Sequence, residues 1–267
     1  MLEGAEAGLM VVLTFTAERE MTALATRALA GTALAGDHVF FEYESTNGMP
    51  DIVCASFDEQ VTRERATGPL ARPFVEAADA ALLLALSNLR ARHLEDIAAE
   101  ARLSESYARK RLRGLEQAGA AERSQSMWIG VAPLKGRLSF AAAVELKLGH
   151  WRKAMIQAAR YKAFADRSLV IVDEAHGRVP LENIRAFHLN AVGLATLSAW
   201  GRLEFALKAP RCRPTRLDRV IAGERLWHEL QRDSAAVAAD PPLARYRVPD
   251  PQVTCRVGRK NRLVLHG

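Results

Sequence analysis

The tripeptide Glu145-Leu146-Lys147 carries a carboxylate and an ammonium group two positions apart, after the apolar run 140–143. This pattern predicts the end of a strand, and side chains i and i+2 of a strand share one face. Glu145 and Lys147 should therefore project together, opposite Val144, Leu146 and Leu148, which point into a core. Buried charges are costly unless they are paired or bind a metal. The pair is therefore either a solvated ion pair on an edge strand or part of a buried site in which the charges are paired or bind a metal.

The N-terminal part of the chain predicts a helix followed by a β-hairpin. Residues 16–31 begin with Thr16 as the N-cap, have acids in the first turn and apolar residues at helical spacing, and end with a glycine. Residues 38–44 and 51–57 predict two strands joined by the turn 45–48. The polar segment 58–72 is interpreted as a linker.

The second half predicts alternating strands and helices. The expected order is strand 138–148, helix 150–165, strand 168–173, a helical stretch around 181–187, an apolar strand at 192–197 and an amphipathic helix at 215–232. A Pro-rich stretch and a basic end, Arg256 to Arg262, follow it. Such alternation is typical of an α/β protein.

Between these halves, helices at 77–89, 93–101 and 104–117 and a short apolar β segment at 127–131 have the order of a winged helix-turn-helix. In the third helix, capped by Ser104, one face is apolar: Ala108, Leu112 and Leu115. Another face is basic and carries an aromatic ring. It comprises Tyr107, Lys110 and Arg113, with Ser106 and Arg109 at its borders. This arrangement suits insertion into the major groove of DNA.

The segment from Leu94 to Arg123 resembles the DNA-binding core of MarR-like winged-helix regulators, over about 55 residues with its flanks. Its most specific part is the run 115–119 before Glu122-Arg123. The resemblance implies binding to DNA. Two other interpretations stay open: a helical bundle with a solvated basic face, and a winged helix that binds protein.

When residues 70–135 are set aside, the flanking segments resemble the core of PD-(D/E)XK nucleases, which have the restriction-endonuclease-like fold. The resemblance covers roughly residues 15–57 and 138–200. The residues that carry it are Pro50-Asp51, Glu145-Leu146-Lys147, Trp151, Gln157, Tyr161 and Ala165-Asp166 before the strand 169–172. The separation of Asp51 from Glu145 is far greater than usual, and the inserted winged helix accounts for it.

The resemblance implies the following organisation. The expected fold class is α/β, with a mixed sheet flanked by helices and interrupted by a winged-helix domain. The expected units are 1–69 and 136–209 for the nuclease-like core, 70–135 for the winged helix, and 210–267 for a C-terminal helix and basic tail.

The chemistry of phosphodiester hydrolysis asks for these residue types. A divalent cation neutralises the developing charge on phosphate and lowers the pKa of an attacking water. Mg²⁺, with Mn²⁺ as a substitute, prefers one or two carboxylates plus waters, so Asp51 and Glu145 are the expected metal ligands. Lys147 would orient or deprotonate the water. By the resemblance, Glu20 (or Glu18) would add a further acid, and Gln157 would line the site.

Composition limits the remaining classes of function. The 267 residues have a formal net charge of +6, which permits a polyanionic partner; only seven of the 37 basic residues are lysine. The three cysteines are scattered and no run of apolar residues has transmembrane length, so we expect a protein of the reducing cytoplasm without a membrane partner. Phosphate-binding G-x-x-x-x-G-K-[ST], zinc-protease H-E-x-x-H and G-x-S-x-G patterns do not occur.

The leading hypothesis is metal-dependent cleavage of nucleic acid, with double-stranded DNA as the favoured substrate and the winged helix as the docking unit. The alternative is a non-catalytic DNA-binding regulator that uses a nuclease-like domain for structure or dimerisation. A protein-interaction adaptor would follow if the basic face of the third helix were buried. A homodimer is compatible with each of them.

Overall fold

The computed structural model describes residues 14–239, with side chains to Asp233. The predicted basic end, the Pro-rich stretch, Cys255 and most of the apolar run at 9–15 lie outside this range. The first elements in chain order are α1 (Glu18–Leu29), β1 (His38–Phe41), β2 (Ile52–Phe57) and α2 (Glu59–Ala66). Next come α3 (Ala77–Ala85), β3 (Arg92–His93), α4 (Leu94–Ala101), α5 (Glu105–Gln117), β4 (Ala121–Ser124) and β5 (Met127–Gly130).

The remaining elements alternate between strand and helix, as the sequence predicts. They are β6 (Leu138–Lys147), α6 (Trp151–Tyr161), β7 (Arg167–Asp173), a 3-10 turn (Glu174–His176), α7 (Arg178–Glu182), α8 (Ile184–Leu189), β8 (Gly193–Leu197), β9 (Leu203–Leu207) and α9 (Arg216–Ala239).

Six strands form one mixed sheet in the order β1-β2-β6-β7-β8-β9. The pairs β6–β7 and β7–β8 are parallel, and the other three pairs are antiparallel. The strand β6 therefore lies in the interior of the sheet, and the interpretation of Glu145-x-Lys147 as a solvated edge-strand pair is wrong. The α/β class is confirmed.

Each face of this sheet is covered by helices. Val144 and Leu146 of β6 pack with α1 residues such as Met21 and Leu29, as the alternation of side chains predicts. The opposite face of β6, with Ala141 and Ala143, packs under α6 and α9 in a second cluster. Because both faces are covered, a charged residue on either face of β6 is removed from water.

A second, three-stranded sheet in the order β3-β5-β4 accompanies α3, α4 and α5. Ser104 caps α5 through Tyr107 N, and the predicted apolar face of α5 is fully buried: Ala108, Leu112 and Leu115. These side chains belong to a cluster separate from the two that flank β6. The helix α5 therefore does not share a core with β6.

The C-terminal helix α9 packs against both units, although the sequence suggested a separate C-terminal region. Val220 and Ile221 join the cluster around α3–α5, whereas Ala222 and Leu226 join the cluster under the large sheet. Glu224 is fully buried between them.

Glu224 contacts residues near both ends of the inserted segment 70–135. It accepts a hydrogen bond from Phe74 N at 2.9 Å, forms an ion pair with Arg65, and lies 3.5 Å from Arg137 Nε. Asp58 N also donates to Arg137 O at 2.7 Å. The two chain crossings into the insert are therefore fixed to each other and to α9.

Several local predictions are corrected. The predicted linker 58–72 contains α2, because Asp58 caps it by accepting from Val61 N at 2.9 Å. The N-cap of α1 is Ala17, and Thr16 instead donates to Glu20. The helix predicted at 104–117 begins and ends as expected, but the helix predicted at 77–89 ends at Ala85. The strand β9 was not predicted.

Candidate active site

Asp51 and Glu145 lie at the same end of two paired strands. The antiparallel pair β2–β6 ends with Ile52 opposite Val144, and Asp51 and Glu145 are the next residues of the two segments. Asp51 Oδ2 accepts a 2.7 Å hydrogen bond from Leu146 N, which fixes this carboxylate against β6. The charge of Asp51 contributes to the raised pKa of Glu145, so the two acids lie near each other.

Glu145 is 2% exposed and both of its oxygens have partners. Tyr161 donates its hydroxyl to Oε2 at 2.6 Å, and Lys147 Nζ lies 3.1 Å from Oε1. These contacts offset part of the cost of removing a carboxylate from water. The strand β6 supplies Glu145 and Lys147, and the helix that follows it supplies Tyr161.

Lys147 is the last residue of β6 and contacts acidic residues on both faces of the sheet. Its ammonium group lies 3.1 Å from Glu145 and donates to Glu18 Oε2, on the first turn of α1, at 2.8 Å. Burial lowers the pKa of Lys147, but the hydrogen bond to Glu18 and the charges of Glu145 and Asp51 raise it to a greater extent. The ammonium form is therefore favoured at neutral pH.

The carboxyl groups of Asp51 and Glu145 both have raised pKa values. For Asp51 the main cause is burial, opposed by the Leu146 N–H and by Lys147. For Glu145 burial is again the main cause; the Tyr161 hydrogen bond opposes it, and the nearby charge of Asp51 adds to it. A buried and a half-buried carboxylate that repel each other are an arrangement that a cation would stabilise.

The structure distinguishes between the two acids that were proposed for α1. Glu18 contacts Lys147, whereas Glu20 turns back to accept hydrogen bonds from Thr16 N and Thr16 Oγ1 at 2.7 and 2.5 Å. Glu20 therefore caps its own helix, and the correction follows from the helix's need to satisfy N–H groups in its first turn. Glu18 is the α1 residue that belongs to the site.

Gln157 lies one helical turn before Tyr161, on the same face of α6. Its Oε1 atom is buried and has no hydrogen-bond partner among the described residues. Buried polar atoms are rarely left without a partner, so this oxygen is a candidate acceptor for a hydrogen bond from a water molecule. Its position in the lining of the site stays a prediction.

The carboxylates of Asp51 and Glu145 are ligands of the type that Mg²⁺ takes. Within residues 14–239, no group of three or more His, Cys, Asp and Glu side chains could hold a metal. Mg²⁺ usually keeps several waters and takes one or two carboxylates, which the pair Asp51 and Glu145 supplies. The unpartnered oxygen of Gln157 could accept from such a water.

The proposed DNA-reading face of α5 is open to solvent. Its five members are all exposed: Ser106, Tyr107, Arg109, Lys110 and Arg113. By contrast, Arg111 of the same helix is held by Asp79 of α3 at 2.8 and 2.6 Å. The hypothesis of a protein-interaction adaptor requires the basic face of α5 to be buried, whereas this face is exposed.

Sequence reasoning did not find two contacts of these sites. The hydrogen bond from Tyr161 to Glu145 was not predicted, although both residues belong to the nuclease-like pattern. The sequence signal that could have indicated this bond is the position of Tyr161 four residues after Gln157. Arg123, on the β4–β5 hairpin, stacks at 5.9 Å over Trp128 and adds a cation next to α5. No spacing rule in the sequence marks it.

Comparison with protein-family models, curated proteins and solved structures gives no match to this chain. None of the helices between residues 14 and 239 has the length and hydropathy required to cross a membrane.

Proposed function

We propose that the protein is a Mg²⁺-dependent nuclease that cleaves DNA at the Asp51–Glu145–Lys147 site. The observation that carries the proposal is that Asp51 is hydrogen-bonded to β6 at Leu146 N, next to Glu145, and that Lys147 lies 3.1 Å from Glu145. One buried and one half-buried carboxylate with raised pKa values, next to an ammonium group, are a costly arrangement for a fold that needs only stability. Such clustering is typical of functional sites.

Each side chain has a distinct role in this proposal. Asp51 and Glu145 would hold the cation. When bound, Mg²⁺ supplies charge neutralisation at the phosphate and a more acidic water. The raised pKa of Lys147 favours its ammonium form, which donates hydrogen bonds but cannot accept a proton. Lys147 would therefore orient the attacking water or donate to a phosphate oxygen, and would not act as a base.

The residues around the pair hold it in place. Tyr161 fixes the carboxylate of Glu145 from the side of α6, and Glu18 fixes the ammonium group of Lys147 from the side of α1. Leu146 N fixes Asp51. Rigid placement of reacting groups lowers the entropic cost of the reaction.

The winged helix would dock the DNA. Lys110 and Arg113 lie on the exposed face of α5, opposite the buried face at Ala108 and Leu112. Contacts from such a face to phosphates give affinity that falls with salt, and contacts to base edges give specificity.

A non-catalytic DNA-binding regulator is the second candidate, and one observation favours it. Both oxygens of Glu145 already have partners, and Lys147 lies between two carboxylates. The cluster is thus largely satisfied by its own residues. In that case the sheet would serve only as a scaffold for the winged helix.

A cleavage assay separates the two candidates. We expect purified protein to cut linear and supercoiled DNA with Mg²⁺ or Mn²⁺, and not with Ca²⁺ or with EDTA. Asp51→Asn should abolish cutting. The matched control is Asp37→Asn, an exposed acid before β1 at the other end of the sheet, which should cut like the wild type. Binding of DNA without cutting under any metal would favour the regulator.

A further inference from the structure

The insert leaves the large sheet at the end opposite to the carboxylates of Asp51 and Glu145. The chain exits after Phe57 at the end of β2 and returns at Leu138 at the start of β6, whereas Asp51 and Glu145 lie at the other end of this strand pair. The strand β6 has ten residues, which at about 3.3 Å each span roughly 30 Å. DNA rises about 3.4 Å per base pair, so this length matches nearly one helical turn.

The helix α6 runs back along the sheet from the carboxylate end. It follows β6, and Asp166 N beyond it donates to Ala141 O at 2.8 Å, close to the insert end of β6. Its outward face carries three exposed cations: Arg152, Lys153 and Arg160. Its eleven residues, WRKAMIQAARY, contain no acidic residue. All of the charged residues on the outward face of α6 are therefore positive, and they flank the exposed Ile156.

The segment 210–214 continues this positive face beyond the end of α6. Cys212 N donates to Asp166 O at 2.7 Å, which fixes the segment beside the start of β7. Its two arginines, Arg211 and Arg213, are exposed and line an open cavity of about 620 Å³. The helix α9, which packs against the winged helix through Val220 and Ile221, follows directly.

We call these five cations the basic track: Arg152, Lys153, Arg160, Arg211 and Arg213. None of them forms an ion pair with any described residue. This contrasts with other exposed arginines, since Arg178 pairs with Glu182 at 2.9 Å and Arg202 with Glu174 at 3.0 Å. The guanidinium of Arg152 stacks on Trp151 at 4.6 Å, which leaves its N–H edge free to donate.

We propose that the basic track binds the phosphate backbone of double-stranded DNA between the winged helix and the candidate active site. The inference rests on the proposed function, because it concerns how one duplex contacts both sites. Unpaired cations in a row are complementary to a duplex, which carries one negative charge per about 1.7 Å of axis. A duplex on the track would be bound at α5 and cut about one helical turn away.

The test is the salt dependence of binding to a labelled duplex of about 30 bp and random sequence, in EDTA. Each phosphate contact contributes about 0.9 to the slope of log K against log salt, so Arg160→Ala/Arg213→Ala should lower the slope by between about 1 and 2. The matched control is Arg19→Ala/Arg27→Ala, two exposed arginines of α1 on the opposite face of the sheet. The control should keep the wild-type slope.

The outcomes separate this inference from the proposed function. A slope that is unchanged in Arg160→Ala/Arg213→Ala but lowered in Lys110→Ala/Arg113→Ala would overturn the track and leave docking by the winged helix intact. An equal loss of slope in the α1 control would also overturn it, because binding would then follow net charge alone. A wild type that cuts the duplex within the base pairs contacted by α5, and not about one helical turn from them, would contradict the separation of the two contacts.

Discussion

The hydroxyl of Tyr161 donates a 2.6 Å hydrogen bond to Oε2 of Glu145, although the two residues lie on different elements. Both side chains are almost fully buried. The helix that follows β6 therefore supports the acid at the end of β6, and one turn earlier it presents the unpartnered Oε1 of Gln157. This support is what allows a carboxylate to remain on an interior strand.

Tyr161→Phe should lower the free energy of unfolding by about 1.5–3 kcal/mol, because it removes a buried hydrogen bond to a charged group. It should also raise the pKa of Glu145 further, since that bond stabilises the charged form. The control is Tyr107→Phe, at an exposed ring of α5, for which we expect a change within about 0.5 kcal/mol. Urea unfolding of both variants measures the difference, and equal losses would contradict a supporting role for Tyr161.

Asp51→Asn should stabilise the protein at neutral pH when divalent cations are absent. Burial raises the pKa of Asp51, so the folded state binds this proton more tightly than the unfolded state does. The free energy of unfolding therefore falls as pH rises from the ordinary carboxyl pKa through the raised value. The advantage of the variant should be full above that window and disappear below pH about 4. Unfolding in EDTA across this range measures it, and a less stable variant at neutral pH would refute the prediction.

Lys110→Ala/Arg113→Ala should weaken binding to DNA and lower its salt slope by between about 1 and 2, because both side chains lie on the exposed face of α5. Fluorescence anisotropy at several salt concentrations gives the slope. Unchanged affinity and slope would assign the unit formed by α3, α4 and α5 to protein interaction.

Glu224→Ala should destabilise the protein by about 3–5 kcal/mol, since it leaves two buried arginines without their carboxylate. Glu64→Ala, which removes an exposed partner of Lys135, should leave the free energy of unfolding nearly unchanged. Chemical denaturation compares the two. Similar small losses would show that the insert is not fixed to α9 through Glu224.

The sequence predicted those parts of the fold that depend on local patterns. The apolar alternation of β6 and the spacing of Ala108, Leu112 and Leu115 each reflect a face that packs against a neighbour, so they could be inferred from periodicity. The interior position of β6 depends on strand pairing between distant segments, which periodicity does not encode. That is why the solvated edge pair was a reasonable but wrong interpretation.

The elements that were missed have weak local signals. The strand β9 alternates between half-buried and exposed residues, and its only partner in the sheet is β8. The helix α2 is polar, and its main buried residue is Arg65, whose partner Glu224 is far away in the chain. In the site, the choice between Glu18 and Glu20 depended on which side chain Thr16 engages, which is a matter of geometry in one helical turn.

The most direct test of the central claim is a double-mutant cycle on the rate of Mg²⁺-dependent DNA cleavage. It compares Asp51→Asn, Glu145→Gln and their combination. Because the two carboxylates lie near each other and would hold one cation, each single variant should lose nearly all activity, and the double variant should lose little more. Circular dichroism and DNA binding confirm that each variant is folded. Losses that add independently, or a Glu145→Gln variant that cuts like the wild type, would contradict a shared site.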